Sequence, residues 1–362
     1  MKINIKNILI SLACTTIGYA QQKEETPNIV LITLDGFRWQ ELYSGADSLL
    51  ITNTAYVEDT TSLKSHFWRT TPEERREVLL PFIWNTISNE GQLHGNRWEG
   101  SKVDVSNTMF FSYPGYNEIL TGKADDARIT SNDKINNPNR TILEQLNAQE
   151  EYKGKVAAFG SWDVFPFIIN EERSGVPVNA GFKTAKGDNL SEKEKFLNDM
   201  QSKVPSPWGS VRLDAFTHYY ALEYMKKNHP KFTFISYGET DDFAHDGDYE
   251  AYLKSAHTTD TLIKEVWEFC ASDTFYKDNT LFIITTDHGR GTTPLETWKH
   301  HGAEIPNSKQ VWLIALGKGV KAKGEVKTKE QLYSSQIAPT LYNILKSSYN
   351  KKEITAKPIS LQ

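Results

Sequence analysis

Cysteine is nearly missing from this chain: 362 residues contain Cys14 and Cys270 and no other. If the first twenty residues are removed, Cys270 stands alone, so no intrachain disulfide is possible and stability has to come from a packed core and bound metal. Long apolar runs are missing as well. After residue 20 no stretch reaches the roughly 18 residues that a bilayer span needs, so no membrane span is expected. Positive charge is not in excess either, since 41 Lys and Arg face 46 Asp and Glu for a net charge of -5. That balance supplies no basic field for polymeric nucleic acid. The chain also lacks internal repeats and low-complexity tracts.

What is present begins with an export signal. Lys2 and Lys6 precede the short apolar run Ile8 to Ile17, and Gly18-Tyr19-Ala20 offers small residues for cleavage before Gln21. Residues 1–20 therefore read as a signal peptide and the mature protein as secreted or periplasmic. A lipoprotein site at Cys14 fits less well, because Ser11 stands where such sites carry Leu.

Five short aliphatic runs read as buried strands: Asn28 to Leu34, Lys155 to Phe159, Phe232 to Tyr237, Thr280 to Thr285 and Val311 to Leu316. Between them, Pro72 to Ser88, Thr141 to Ala148, Arg212 to Lys227, Asp248 to Phe269 and Lys329 to Lys346 have helical periodicity, the last with a kink expected at Pro339. Alternation of this kind predicts an α/β fold with a mostly parallel central sheet and helices on both faces. Residues 21–362 then form a single domain. The segment 51–106 reads as a cap or insertion, and 185–207 as a second polar excursion near the site. Cys270 falls in a helical stretch and reads as a buried structural thiol.

Acidic residues and histidines cluster where strands end. Asp35 closes the first run, Asp241 and His245 follow Phe234-Ile235-Ser236-Tyr237, and Asp287-His288-Gly289 follows Phe282-Ile283-Ile284-Thr285-Thr286. In a parallel sheet the carboxyl ends share one edge, so these residues converge there. Asp241 and His245, four apart, share a face if one helical turn joins them. His301 adds a sixth donor, with His300 as its rival; the adjoining Gly302 favours His301. Carboxylate and imidazole suit zinc, and six donors are too many for one tetrahedral ion with an open position but about right for two. Any one of these residues alone would read as a turn, a cap or a surface group.

Taken in order, Leu34-Asp35-Gly36-Phe37-Arg38, Ser112-Tyr113-Pro114 with Leu120-Thr121-Gly122, Asp241 with His245, Thr286-Asp287-His288-Gly289 and His301-Gly302 resemble the alkaline phosphatase superfamily. The likeness is nearest to its type I phosphodiesterase/nucleotide pyrophosphatase branch and spans Asn28 to about Leu345. The resemblance implies that Ser112 is the nucleophile, forming a phosphoseryl intermediate. It implies that Asp35, Asp287 and His288 hold one divalent metal together with the Ser112 oxygen, while Asp241, His245 and His301 hold the other. It also implies an Asn that binds a phosphoryl oxygen, for which Asn132 lies nearest the expected offset and Asn117 and Asn136 are rivals. The branch usually carries Asn-His after the nucleophile's Pro, whereas this chain has Gly115-Tyr116-Asn117.

The resulting expectation is a secreted two-metal phosphoric ester hydrolase acting on a small-molecule or glycan-linked phosphate ester, with diesters favoured over monoesters. Arg38 and Lys299 would suit a monoester; Trp162 and the aromatics Tyr113 and Tyr116 would suit a diester slot. Asp163 is a further pocket candidate. A sulfatase is the nearest rival, but Tyr116 replaces the Arg of the Cys/Ser-x-Pro-x-Arg context that formylglycine formation uses. A manganese phosphomutase fits poorly with an export signal. A noncatalytic binder of phosphorylated or sulfated glycans would not need the full donor set and its serine.

Overall fold

The computed structural model describes residues 26–350 and 352–362, so the expected signal peptide lies outside the described residues. Among the described residues eleven strands run in chain order: β1 Asn28–Leu34, β2 Gln92–His94, β3 Ser101–Asp104, β4 Val156–Gly160, β5 Val178–Ala180, β6 Phe232–Tyr237, β7 Thr280–Thr285, β8 Gln310–Val311, β9 Leu313–Gly317, β10 Gly324–Glu325 and β11 Glu330–Tyr333. Eight form one sheet in the order β10-β2-β9-β7-β1-β6-β4-β5, and β11-β3-β8 form a small second sheet. From β7 to β5 all neighbours are parallel, while β9 runs antiparallel to β7 and to β2.

The continuous apolar strands are explained by burial on both faces. Val30, Ile32 and Leu34 of β1 face one core, shared with the helices Asp214–Asn228 and Tyr249–Ser272. Ile29 and Leu31 face the other, shared with the helices Ser112–Thr121 and Ile337–Ile344. Cys270 is buried in the first core. No helix among the described residues is long and apolar enough to cross a membrane.

Three expectations change. The stretch Lys329 to Lys346 is not one helix, because Glu330–Tyr333 pairs with β3 and the helix runs only over Ile337–Ile344. Pro339 sits in that helix's first turn, where its missing N–H has no partner to lose, so no kink is needed. The helix expected over Pro72 to Ser88 stops at Leu79, since Pro81 interrupts it and a π-helical turn Ile83–Ile87 follows. The strand expected over Val311 to Leu316 divides at Trp312 between the two sheets.

Residues 51–106 do more than cover the fold: they supply β2 to the main sheet and β3 to the small one, and Leu63, Leu79 and Ile83 to the core. Within 185–207 the helix Glu192–Lys203 starts on a capping box of Ser191 and Glu194.

Candidate metal centre

Three neighbouring strand ends build the centre. Asp35 follows β1, and its N–H extends the ladder by donating to Tyr237 O at 2.9 Å. Asp287 and His288 follow β7, and Asp287 Oδ1 accepts from Gly36 N at 3.1 Å. After β6 the chain turns directly into the helix Glu239–Asp246, which carries Asp241 and His245 one turn apart with Oδ2 and Nε2 3.2 Å from each other. Gly36 adopts φ 57°, and a Cβ there would lie 2.5 Å from Asp241 Oδ1, so only glycine fits between these two strand ends.

Ser112 opens the helix Ser112–Thr121 and is buried, with Oγ 3.3 Å from His288 Nε2. The departure at Gly115-Tyr116 has a physical basis. A Cβ on Gly115 would stand 2.3 Å from Asp287 O, so glycine lets this helix lie directly on the end of β7. The approach brings Tyr116 Oη to Asp35 Oδ2 at 2.9 Å, and Oη in turn accepts from Ser236 Oγ, which accepts from Thr33 Oγ1.

His288 Nε2 lies 3.3 Å from Asp35 Oδ1, 3.5 Å from Asp287 Oδ2 and 3.7 Å from Asp241 Oδ1. His301 stacks on His288 with ring centroids 3.9 Å apart, and its Nε2 is 3.8 Å from Asp241 Oδ1 and 2.9 Å from His245 Nε2. Gly289 O sits 2.9 Å from His288 Nδ1 and Phe110 O sits 3.2 Å from His301 Nδ1. A carbonyl only accepts, so each Nδ1 carries a hydrogen and each Nε2 is the ring nitrogen turned toward the carboxylates. Phe110 reaches this position with φ 54°, held by Asn107 Oδ1, which accepts from its N–H.

The electrostatics are those of a nest of negative charge. Burial and then the Asp241 charge push the Asp35 carboxyl well above its ordinary range, and burial and then Asp35 do the same to Asp287. At Asp241 burial opposes ionisation, but the Arg290 guanidinium, followed by His245, overrides it and holds the carboxyl well below the usual range. Burial and then His288 push the His301 imidazole well below its ordinary value. Asp35 Oδ1 and Asp287 Oδ2 are buried without a hydrogen-bond partner. Such orphaned oxygens are costly, and a divalent cation is a partner that this oxygen and imidazole set fits. The donor atoms fall into two overlapping groups, Asp35 with Asp287 and His288, and Asp241 with His288 and His301, each within 4.8 Å. His245, 42 % exposed at its side chain, stands at the outer edge.

The structure thus brings Asp35, Ser112, Asp241, His245, Asp287, His288 and His301 together. His300 stays exposed outside the group. Asn132 Oδ1 accepts from Tyr113 N at 2.9 Å, beside Ser112. Its rivals turn elsewhere: Asn117 Nδ2 donates to Lys123 O, and Asn136 Nδ2 donates to Glu172.

Arg38, Tyr113 and Tyr116 do not hold the pocket positions expected of them. Arg38 is buried in an ion pair with Glu41 and donates to Gly291 O, because its helix packs beneath the loop after β7. Tyr113 and Tyr116 are buried, Tyr113 Oη donating to Ile135 O, so neither lines an open slot. Trp162 is partly exposed at the end of β4 and Asp163 pairs with Lys134 at 2.6 Å. Lys299 Nζ lies 5.8 Å from the Tyr56 ring centroid.

Arg290 is not legible as a site residue, and Tyr116 reads as a slot aromatic and not as a partner of Asp35. Arg290 is buried, ion-paired with Asp241, and donates to Gly36 O and Lys299 O. An arginine in a glycine-rich loop ordinarily reads as solvated, and only its place two residues after His288 hints otherwise.

Residues 183–349 match the family model of the Metalloenzyme superfamily. Among characterised proteins the chain is similar to the 2,3-bisphosphoglycerate-independent phosphoglycerate mutase of Campylobacter jejuni, 26 % identical over 43 % of this chain and 31 % of the mutase. The match therefore spans about a third of that enzyme. Among solved structures, wild-type alkaline phosphatase PafA superposes with a TM-score of 0.63 at 12 % identity, covering 93 % of this chain and 99 % of PafA. The lipoteichoic acid synthase LtaP from Listeria monocytogenes gives 0.59 at 16 % identity, covering 92 % and 76 %.

Proposed function

With the fold of the alkaline phosphatase superfamily as the premise, we propose that this chain is an exported phosphoric ester hydrolase, of the phosphodiesterase kind, that uses Ser112 and two divalent cations, zinc by ligand type. One observation carries the reading: the Ser112 hydroxyl lies 3.3 Å from His288 Nε2, at the edge of a nest of three aspartates and the Nε2 atoms of His288 and His301. Asp35, Asp287 and His288 would hold one cation and Asp241, His245 and His301 the other. When bound, this pair supplies positive charge that lowers the pKa of the Ser112 hydroxyl and neutralises the departing oxygen.

The chain's own residues do the rest. Ser112 Oγ attacks phosphorus in line; the Oγ–P bond forms as the bond from phosphorus to the leaving oxygen breaks, and the hydroxyl proton is released. Water then hydrolyses the phosphoserine and restores Ser112. The N-terminus of the helix Ser112–Thr121 favours the developing negative charge at Oγ. Asn132, whose Oδ1 accepts from the Tyr113 N–H, would donate its amide to a nonbridging oxygen.

The preference for diesters is supported by where the cations go. Arg38 is committed to Glu41, Arg290 to Asp241 and Lys134 to Asp163, whereas a monoester, with one more negative charge, asks for free cations around its terminal oxygens. Turnover of bis-p-nitrophenyl phosphate, p-nitrophenyl phosphate and p-nitrophenyl sulfate by the metal-loaded protein tests the reading. The diester should be fastest and Ser112→Ala should abolish its turnover; full activity in that variant would remove Ser112 from the mechanism. Bound metal near two zinc per chain is expected, and one calcium would redirect the reading to sulfate esters.

A further inference from the structure

We propose that a cavity of about 620 Å³ at the ends of β4 and β5 is the subsite for the organic group that a phosphodiester keeps on phosphorus, and that it takes a neutral polyhydroxylated group such as a glycosyl residue. The proposal rests on the phosphodiesterase reading and extends it to a substrate class.

Continuity with the site follows from topology. Strands β1, β6, β4 and β5 are all parallel, so the cavity opens on the same sheet edge as Asp35 and Asp241. Asp163 comes three residues after β4, and Phe182 two residues after β5. The two strand ends touch, since a Cβ on Gly181 would lie 2.4 Å from that of Asp163. On the other side, Asn132 is bonded to the turn that presents Ser112, and Lys134, two residues on, reaches Asp163 at 2.6 Å. The Lys134–Asp163 pair lines the cavity, and Lys134 stands two residues from the Asn132 that is bonded to the nucleophile's turn.

The lining selects the ligand. Phe182, 42 % exposed, and Phe167 offer ring faces. Around them stand two lysines and three carboxylates, and both lysines are taken: Lys134 by Asp163 and Lys183 by Glu171 at 2.5 Å. The surplus carboxylate repels a substituent that carries its own phosphate or sulfate. A glycosyl group meets both features, stacking its C–H face on an aromatic ring while its hydroxyls donate to carboxylates, and the volume holds one or two rings.

The test is equilibrium binding by calorimetry to metal-loaded Ser112→Ala protein, with and without Phe182→Ala, of two p-nitrophenyl phosphodiesters whose second group is methyl or glucosyl through its 6-oxygen. The glucosyl diester should bind at least tenfold tighter than the methyl diester, Phe182→Ala should erase that difference, and a 4-sulfated glucosyl analogue should lose most of it. Equal binding of the first two, or a difference that survives both Phe182→Ala and Asn136→Ala, overturns the subsite. Because binding is read in a protein that cannot turn over, that result is separate from the hydrolysis assay: lack of diester turnover by the Ser112 protein sinks the hydrolase reading, while loss of glucosyl discrimination sinks the subsite. Phe182 is partly exposed, so an unchanged thermal transition will show that its variant is folded.

Discussion

Tyr116 Oη donates to Asp35 Oδ2 at 2.9 Å, which leaves Asp35 Oδ1 as a buried oxygen without a partner. The phenol selects which carboxylate oxygen is free, and the chain Ser236 to Tyr116 fixes the phenol. Partners that orient a metal ligand in this way commonly contribute 10–100-fold in metal affinity. Tyr116→Phe should therefore weaken metal binding by about that factor, measured by chelator competition, while the far-ultraviolet circular dichroism stays unchanged. Wild-type affinity in the variant would show that Asp35 needs no such guide.

Arg290 is the cation the nest already contains. Removing one partner of a buried pair costs about 3–5 kcal/mol, because the other charge is left uncompensated. Arg290→Met should lower the thermal midpoint in chelator, and added zinc should recover part of the loss by taking over the charge on Asp241. An equal loss in chelator and in zinc would mean that the arginine serves only the packing of the loop after β7.

Gly115 stands where the helix Ser112–Thr121 meets the end of β7. A methyl group 2.3 Å from Asp287 O cannot be accommodated without moving one of them. Gly115→Ala should cost about 1–3 kcal/mol by denaturant titration and also displace Ser112 from His288, so that turnover falls more than stability alone explains. A variant that is less stable but fully active would show that the helix shifts without carrying the serine away.

Asp260 lies far from the centre and sets a pH dependence of its own. Its carboxylate accepts from Phe82 N at 2.7 Å and Ile83 N at 2.9 Å, the donors released where Pro81 interrupts the preceding helix. Burial pushes its pKa up to about 7 against these bonds. A raised carboxyl binds its proton more tightly in the folded state, so its contribution is complete below the unfolded value near 4 and is lost as pH rises through 7. Wild type should therefore lose stability relative to Asp260→Asn between pH 4 and 7, followed by urea midpoints. A constant difference across that range would place the pKa elsewhere.

What was legible in the sequence follows from how each signal is generated. Strands β1, β6 and β7 were clear because burial on both faces demands unbroken apolar runs, and the donor residues were clear because each stands just past one of those runs. Glu330–Tyr333 was lost because it is a short half-exposed strand running directly into a helix, and the combined pattern mimics a helical period. Pro81 marked a break that the charged run before it concealed. His301 and His300 could not be separated by periodicity; geometry separates them, because only His301 stacks on His288. Tyr116 read as a departure from a motif, and its role emerges only when Gly115 lets two distant segments touch.

The centre of the sheet is β1, near the beginning of the chain, and its two neighbours β6 and β7 begin at residues 232 and 280. During synthesis, this strand has to wait for more than half of the polypeptide before either edge can be paired. Contacts of such long sequence separation slow folding and leave an apolar strand open to other chains in the interval. A fragment restricted to residues 183–349, the matched region, would include both neighbours but neither the strand between them nor Ser112. The site is therefore a late product of folding, assembled only when the first strand closes the gap, and a shortened chain would be an aggregation hazard before it was a weak enzyme.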